Sequence, residues 1–236
     1  MTSTQTHFGR NWNVMEKLGS EFRGKEHVVA WVVGIGMQEK RFGPYAQAEE
    51  LSKNFEHVEL AEVLRKAGVK KYKVYASDIE EKAISAAKRD LERGKLVVER
   101  SDLESRSEYG RRFFRLKAGS GGGVSCKLPK KTVDSIVLLG PGAGGNALLE
   151  KPGEKAHVIL YLNGGYHLKD DEQKELSGVF AEAAETGGMV VTETRFFEEE
   201  HDNIALSNEL EKLFGKPEIH DNNAYYRKSR WPAGHE

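Results

Sequence analysis

"YKVYASDIEEKAISAAKR", Tyr72 to Arg89, contains two periodic patterns joined at one acidic residue. Its first residues alternate in the way typical of a β-strand, over about Lys73 to Ala76. Its later residues place alanines and an isoleucine at helical spacing, which predicts a helix that stops near Gly94. Asp78 stands at the junction, directly after the strand. The segment therefore predicts a strand, a turn bearing a carboxylate, and a helix.

The residues before this segment repeat the same order. "HVVAWVVGIG", His27 to Gly36, is a β-branched apolar run of the kind found in strands buried on both faces. Pro44 to Gly68 then reads as a helix, with proline in the first turn and glycine after the last. The order βαβα predicts an α/β fold with a mostly parallel central sheet and helices on both faces.

The rest of the chain is less regular. The range 108–131 places two strand-like runs on either side of a Gly/Ser-rich loop, which predicts a small β-hairpin insertion, with a flexible loop as the alternative. Further strands are predicted within 134–146, 156–168 and 189–197, helices over 169–188 and 203–214, and short strands over 217–220 and 224–228. Because no repeat or long linker divides the sequence, we expect one domain over residues 1–236.

The composition argues against several classes of protein. The chain of 236 residues has 36 Lys and Arg against 37 Asp and Glu, a net charge of −1, so no general field favours a nucleic-acid or membrane partner. No apolar run approaches a membrane span and the N-terminus lacks a signal-peptide pattern, which predicts a cytoplasmic protein. The single cysteine, Cys126, excludes an intrachain disulfide, and the histidines show no metal-ligand spacing, so no metal is expected.

The position of Asp78 predicts a ligand. Ligands of open parallel sheets bind beyond the carboxyl ends of the strands, where Gly34 and Gly36 allow close approach to the first strand. A carboxylate on the neighbouring strand can accept hydrogen bonds from both hydroxyls of a ribose, which favours an adenosine-containing ligand. A role as helix N-cap is the alternative.

A dinucleotide is disfavoured. The dinucleotide motif requires a third glycine, where this chain has Glu39, and an acid about 20 residues on, whereas Asp78 lies 44 residues after Gly34. The missing glycine removes the close approach of a pyrophosphate. The pattern therefore favours a nucleoside ligand without phosphate, such as S-adenosylmethionine.

Six segments resemble, in order, the catalytic domain of CheR-type chemotaxis receptor methyltransferases. "TQTHFGR" is similar to the family's N-x-T-x-F-F-R, and "WVVGIGMQEKRFGPY" to its W-x-x-G-C-S-T-G-E-E-P-Y, with three extra residues before the proline. "YASDIEEKAISAAKR" resembles A-T-D-I-x-x-x-A-L-x-x-A-R. The others are "VILYLNGGYHLKDDEQ", "AETGGMVVTET" and "AYYRK", while "RRFFR" and the glycine hairpin occupy the place of the family's small β-subdomain.

This resemblance implies a Rossmann-like methyltransferase fold with S-adenosylmethionine as cofactor. It implies that Thr6 and Arg10 contact the methionyl end, that Glu39 binds the ammonium group and that Asp78 binds the ribose. The remainder of the implied cofactor pocket consists of Gly34, Gly36, Gly140, Leu162 and Asn163, the last near the transferred methyl group.

The substrate side departs from the family. Its Arg-Asn pair is replaced by Leu162-Asn163, and its following tyrosine by His167, with Tyr166 shifted by one position. Since about 26 residues precede the first strand, we expect its N-terminal helical domain to be absent, which leaves the methyl acceptor unidentified, either a protein carboxylate or a small molecule.

The resemblance predicts a CheR-like methyltransferase. Arg10 would orient a carboxylate acceptor, which needs no general base, whereas Tyr166 or His167 would serve as base for a hydroxyl or amine. The alternative is a regulatory module that binds S-adenosylmethionine or S-adenosylhomocysteine without turnover. A nicotinamide-dependent enzyme is disfavoured by the glycine spacing.

Overall fold

A computed structural model describes residues 9–36, 54–78, 80–99, 115–118, 123–140, 154–162, 168–193 and 204–229. The helices are α1 (Trp12–Glu21), α2 (Glu56–Lys66), α3 (Glu81–Arg93), α4 (Lys130–Asp134), α5 (Asp170–Ala183) and α6 (Ile204–Phe214). The strands are β1 (His27–Val33), β2 (Lys71–Ser77), β3 (Lys95–Glu99), β4 (Arg115–Ala118), β5 (Gly123–Lys127), β6 (Ile136–Leu138), β7 (Ala156–Tyr161), β8 (Ala184–Glu193), β9 (Glu218–His220) and β10 (Asn223–Arg227).

Seven strands form the main sheet, in the order β6-β2-β1-β7-β8-β10-β9. The strands β6, β2, β1, β7 and β8 are parallel, and β10 and β9 run antiparallel at one edge. The chain proceeds from β1 outward to β2 and β6, then returns to the other side of β1 with β7 and β8. This reversal places a topological switch point between β1 and β7, where open α/β sheets bind ligands.

The central strand β1 is buried on both faces, as its apolar run predicted. Val28, Ala30 and Val32 join a core cluster that includes residues of α1, α2 and α3. The alternate residues Val29, Trp31 and Val33 join a second cluster that includes residues of α5 and α6. Successive side chains of a strand point to opposite faces, so helices on both faces are needed to cover this strand. The predicted α/β architecture is confirmed.

The predicted hairpin is confirmed, but it is part of a larger unit. The strands β4 and β5 are antiparallel neighbours, and β3 pairs with the other side of β5 to give a separate sheet of order β3-β5-β4. Leu96 and Cys126, opposite each other in this sheet, are fully buried in the α1, α2 and α3 cluster. The sequence did not predict β3, because it follows α3 after only Gly94, nor did it predict α1 and α4.

The helix predicted over 169–188 was too long. The helix ends at Ala183, and Gly187 and Gly188 lie within β8. The backbone N–H of Gly187 donates to the carbonyl of Lys228, and a Cβ at Gly188 would lie 2.7 Å from the carbonyl oxygen of Ala156. These glycines therefore serve close strand contacts at an irregularity of the β7–β8 pairing rather than a helix cap. Among the described helices, none has the length and apolar character required to cross a membrane.

Candidate functional site

Asp78 connects the loops that follow β1 and β2. One carboxylate oxygen, Oδ2, accepts the backbone N–H of Gly36 at 2.8 Å, and the other, Oδ1, accepts the backbone N–H of Glu80 at 2.8 Å. The residue is 9% exposed. The contact with Glu80 is the local turn that aspartate often makes with the N–H two residues later, whereas the contact with Gly36 spans 42 residues. The carboxylate thus fixes both loops at the carboxyl edge of the sheet.

The N-cap alternative for Asp78 is wrong. The helix α3 begins at Glu81, and its N-cap is Glu80, two residues beyond Asp78. Asp78 therefore contacts the N–H of the N-cap residue instead of those of the first helical turn. A serine or asparagine at position 80 could cap the helix. At position 78, however, neither residue has the two carboxylate oxygens that contact Gly36 and Glu80.

The ends of β1 and β2 are joined further by backbone hydrogen bonds. The carbonyl of Ser77 accepts the N–H of Gly34 at 2.9 Å and that of Ile35 at 3.2 Å. Gly34 and Gly36 have φ of 69° and 65°, a left-handed conformation that residues with a Cβ adopt at a cost of about 1–2 kcal/mol. The glycines are therefore required by this turn itself. They also bring backbone, without side chains, to the edge beside Asp78.

The hydrogen-bond acceptors at this edge fit a ribose. A carboxylate offers about four lone-pair sites, of which the two backbone N–H groups occupy two. Asp78 can therefore accept two further hydrogen bonds from vicinal hydroxyls while it keeps both loops in place. The lack of side chains at Gly34 and Gly36 allows the ligand to lie against the chain above β1.

Arg10 lies at the same edge, at the end of β8. Its Nη2 contacts Oε1 of Glu193 at 3.0 Å and Oε2 at 3.4 Å, and the two side chains are 9% and 6% exposed. Glu193 is the last residue of β8, two strands from β1. The sequence did not identify Glu193, since no local pattern links it to a residue 183 positions away.

The neighbours of Arg10 are held by buried carboxylates of α2. Oε1 of Glu59 accepts the backbone N–H of Gly9 at 2.6 Å, and Oε1 of Glu56 accepts the Nδ2 amide of Asn11 at 3.5 Å. Glu56 and Glu59 are 2% and 1% exposed. The first contact holds the backbone before Arg10, and the second holds the side chain of the residue after it. Glutamates at i and i+3 in a helix were the only sequence signal of this role.

The other predicted residues divide into two groups. Leu162 is buried directly after β7, and Gly140 is exposed two residues after β6, so both lie at the carboxyl edge of the sheet. Within the described residues, neither forms a hydrogen bond with Asp78. Thr6, Glu39, Asn163, Tyr166 and His167 lie outside the described residues, and their roles stay predictions.

His57 of α2 is fully buried beside these carboxylates. Neither ring nitrogen has a hydrogen-bond partner, and burial lowers the pKa of His57 from 6.5 to about 4. The native state therefore keeps this ring neutral at pH values at which the unfolded chain takes up a proton. The resulting stability is fully present above pH 6.5 and is lost as the pH falls toward 4.

We expect His57 alone to lower the free energy of unfolding by about 2 kcal/mol when the pH falls from 7 to 5. His57→Leu removes this dependence and also stabilises the protein at pH 7 by about 1 kcal/mol, because no unpaired polar ring is then buried. Urea denaturation at both pH values measures the two effects. The control is Val58→Ala, at a buried neighbour without a titratable group, which should lower the stability equally at both pH values. Equal losses on acidification in the unmodified protein and His57→Leu would contradict the assignment.

No protein-family model and no curated protein sequence matches this chain significantly. Among solved structures, it is similar to an O-methyltransferase family protein from Burkholderia thailandensis, with a TM-score of 0.51 at 8% identity over 93% of this chain and 56% of that one. A putative rRNA-methylase from Clostridium thermocellum has a TM-score of 0.49 at 10% identity over 96% of this chain and 100% of its own. Magnesium protoporphyrin IX methyltransferase from Synechocystis with bound SAM has a TM-score of 0.46 at 14% identity, over 92% of this chain and 77% of its own.

The similarity to the Burkholderia protein concerns the fold, because 8% identity carries no information on individual residues. Together with the strand order and the switch point, it shows that the chain has the Rossmann-like methyltransferase fold. This confirms the fold that the sequence predicted.

Proposed function

We propose that this protein binds S-adenosylmethionine at the carboxyl edge of its main sheet and transfers the methyl group to an acceptor. The observation that supports this most strongly is the carboxylate of Asp78, which lies at the end of β2 and contacts the N–H of Gly36 at 2.8 Å. The pair combines a ribose acceptor with a glycine turn after β1, the strand that borders the switch point of a methyltransferase fold.

In this proposal the residues of the chain bind and orient. Asp78 accepts the ribose hydroxyls, Gly34 and Gly36 line the nucleoside, and Leu162 and Gly140 flank it from the neighbouring strands. Glu39 binds the ammonium group, because a buried cation needs a carboxylate partner. Thr6 and Arg10 contact the methionyl end and Asn163 the region of the methyl group. When bound, the cofactor supplies an electrophilic methyl group on a sulfonium.

We further propose a CheR-like reaction at a carboxylate acceptor, as the ordered sequence segments imply. A carboxylate is already ionised at neutral pH, so its attack needs no general base and depends on orientation and loss of water. For a hydroxyl or amine acceptor, Tyr166 or His167 would remove the proton. The acceptor is proposed only as a protein carboxylate or a small molecule.

Isothermal titration calorimetry of the purified chain tests the cofactor. We expect saturable micromolar binding of S-adenosylmethionine and of S-adenosylhomocysteine, and no binding of NAD or NADP. Absence of binding by both adenosyl compounds would overturn the proposal, whereas tight NAD binding would point to a dehydrogenase. Transfer of a tritiated methyl group to candidate acceptors, supplied as protein extract and as a metabolite fraction, then tests turnover.

A second candidate function is a regulatory module that binds the cofactor without turnover. It is favoured by one observation, the engagement of Arg10 by the buried carboxylate of Glu193. A guanidinium held by an internal acid is less suited to orient an acceptor carboxylate. Acceptor-dependent formation of S-adenosylhomocysteine by the purified protein would exclude this alternative.

A further inference from the structure

Positive charge is concentrated in one segment of the chain. From Tyr109 to Val133 the sequence contains seven Lys and Arg and no Asp or Glu. The remainder of the chain has 29 of the 36 Lys and Arg against all 37 Asp and Glu, so the segment is basic within an otherwise acidic protein. The net charge of −1 averages these two regions and hides the difference. This segment includes β4, β5 and the start of α4.

The small sheet places cationic residues in one row across its strands. Lys95 of β3 lies directly opposite Lys127 of β5, and Lys127 lies directly opposite Arg115 of β4. Directly opposite residues of antiparallel strands have Cβ atoms about 4.5–5.5 Å apart. Like charges in such positions are unfavourable. The row therefore destabilises the isolated sheet, and an anion bound across it would remove the repulsion.

This row lies on the outer face of the small sheet. Leu96, which follows Lys95 in β3, and Cys126, which precedes Lys127 in β5, are buried in the core. Because side chains alternate along a strand, Lys95 and Lys127 point away from the core, and both are exposed. Within the part of the chain that the structure describes, neither lysine has an ion-pair partner.

Two further lysines stand at the start of α4, three and four residues after Lys127. Lys130 and Lys131 are both exposed. Lys130 contacts Asp134 at 2.6 Å, and Nζ of Lys131 donates to the carbonyl of Lys70 at 3.2 Å. We call the surface of Lys95, Lys127, Lys130 and Lys131, with Arg115 at its register position, the basic face.

We infer that the basic face binds the phosphate backbone of a nucleic acid. Cations on adjacent strands recur at about the 4.8 Å spacing of a sheet, which suits a chain of closely spaced phosphates. A membrane surface is a poorer fit, because peripheral membrane binding adds buried apolar side chains to the charge. The exposed large apolar residues of the described chain are Leu213 and Ile219, on α6 and β9, and neither lies on the basic face.

The basic face is separate from the proposed cofactor site. The helix α3 begins three residues after Asp78 and ends two residues before Lys95. Its 13 residues span about 20 Å, which separates the two surfaces. This inference therefore stands whether or not the chain transfers methyl groups, and it departs from the prediction drawn from the net charge alone.

Fluorescence anisotropy tests the inference. The probe is a fluorescein-labelled oligouridylate of about 20 nucleotides, which is titrated with the full chain at several salt concentrations. We expect binding at low salt with a linear dependence of log K on log salt. The variant Lys95→Ala/Lys127→Ala removes two phosphate contacts. The slope of log K against log salt should therefore become less negative by about 1.4, and the affinity at low salt should fall by at least about tenfold. Both lysines are exposed, so thermal denaturation should show an unchanged fold.

The matched control is Lys174→Ala/Lys216→Ala, at two exposed lysines on α5 and after α6, whose helices pack on the opposite face of the main sheet. Its slope and affinity should equal those of the unmodified protein. No oligouridylate binding at low salt, or equal losses in the control, would overturn the inference. Binding to phosphatidylserine vesicles or to polyglutamate that matches or exceeds binding to oligouridylate would also overturn it.

Discussion

Asp78→Ala should weaken the binding of S-adenosylmethionine by about 100-fold or more. The substitution removes the two hydrogen bonds proposed to the ribose hydroxyls, and bonds to a charged group contribute about 1.5–3 kcal/mol each. It also leaves the N–H groups of Gly36 and Glu80 without their carboxylate acceptor, which loosens both loops. Since about 1.4 kcal/mol corresponds to a tenfold change, 3 kcal/mol suffices for the predicted loss. Calorimetric titration measures it directly.

The control for this experiment is Glu81→Ala, an exposed acid three residues further on, in the first turn of α3. Its binding constant should match that of the unmodified protein. Asp78→Asn, which keeps one oxygen acceptor, should fall between the two. Micromolar binding retained by a correctly folded Asp78→Ala protein would show that the ligand lies elsewhere.

Glu193→Ala should lower the free energy of unfolding by about 3 kcal/mol. The two side chains of the Arg10–Glu193 pair are 9% and 6% exposed, and removal of one partner of a buried ion pair typically costs about 3–5 kcal/mol because a buried charge loses its counter-charge. Urea denaturation at neutral pH measures the change. The double variant Arg10→Ala/Glu193→Ala should lose less than the sum of the two single changes, because neither charge is then left behind.

The control for Glu193→Ala is Glu26→Ala, which breaks an exposed ion pair. Glu26 contacts Lys70 at 2.6 Å, but the side chains are 76% and 67% exposed, so the loss should stay below about 1 kcal/mol. Additive effects of Arg10→Ala and Glu193→Ala, or a loss in Glu193→Ala no larger than that in Glu26→Ala, would show that the pair is not energetically coupled. The same variants, titrated with S-adenosylmethionine, report whether the pair also orders the cofactor site.

The sequence predicted the fold class, and the position of an acid directly after β2, because both depend on local patterns. A strand that ends at an acid and continues as a helix lies within 18 consecutive residues, and the buried run of β1 is equally compact. The corrections fall where local signals are weak or misleading. The strand β3 follows its helix almost directly, and Gly187 and Gly188 resemble a helix cap although they serve contacts with β7 and with the chain after β10.

The amino-acid sequence by itself determined the α/β order of elements, the burial of β1 and the acid at the end of β2, since periodicity and turn residues act over a few neighbours. Only the tertiary structure decided that Asp78 contacts Gly36, that Arg10 pairs with Glu193, and that Lys95 lies opposite Lys127. Each of these contacts joins residues between 32 and 183 positions apart in the chain. Such contacts depend on strand order and register, which follow from how the whole chain buries its apolar faces and not from any single segment.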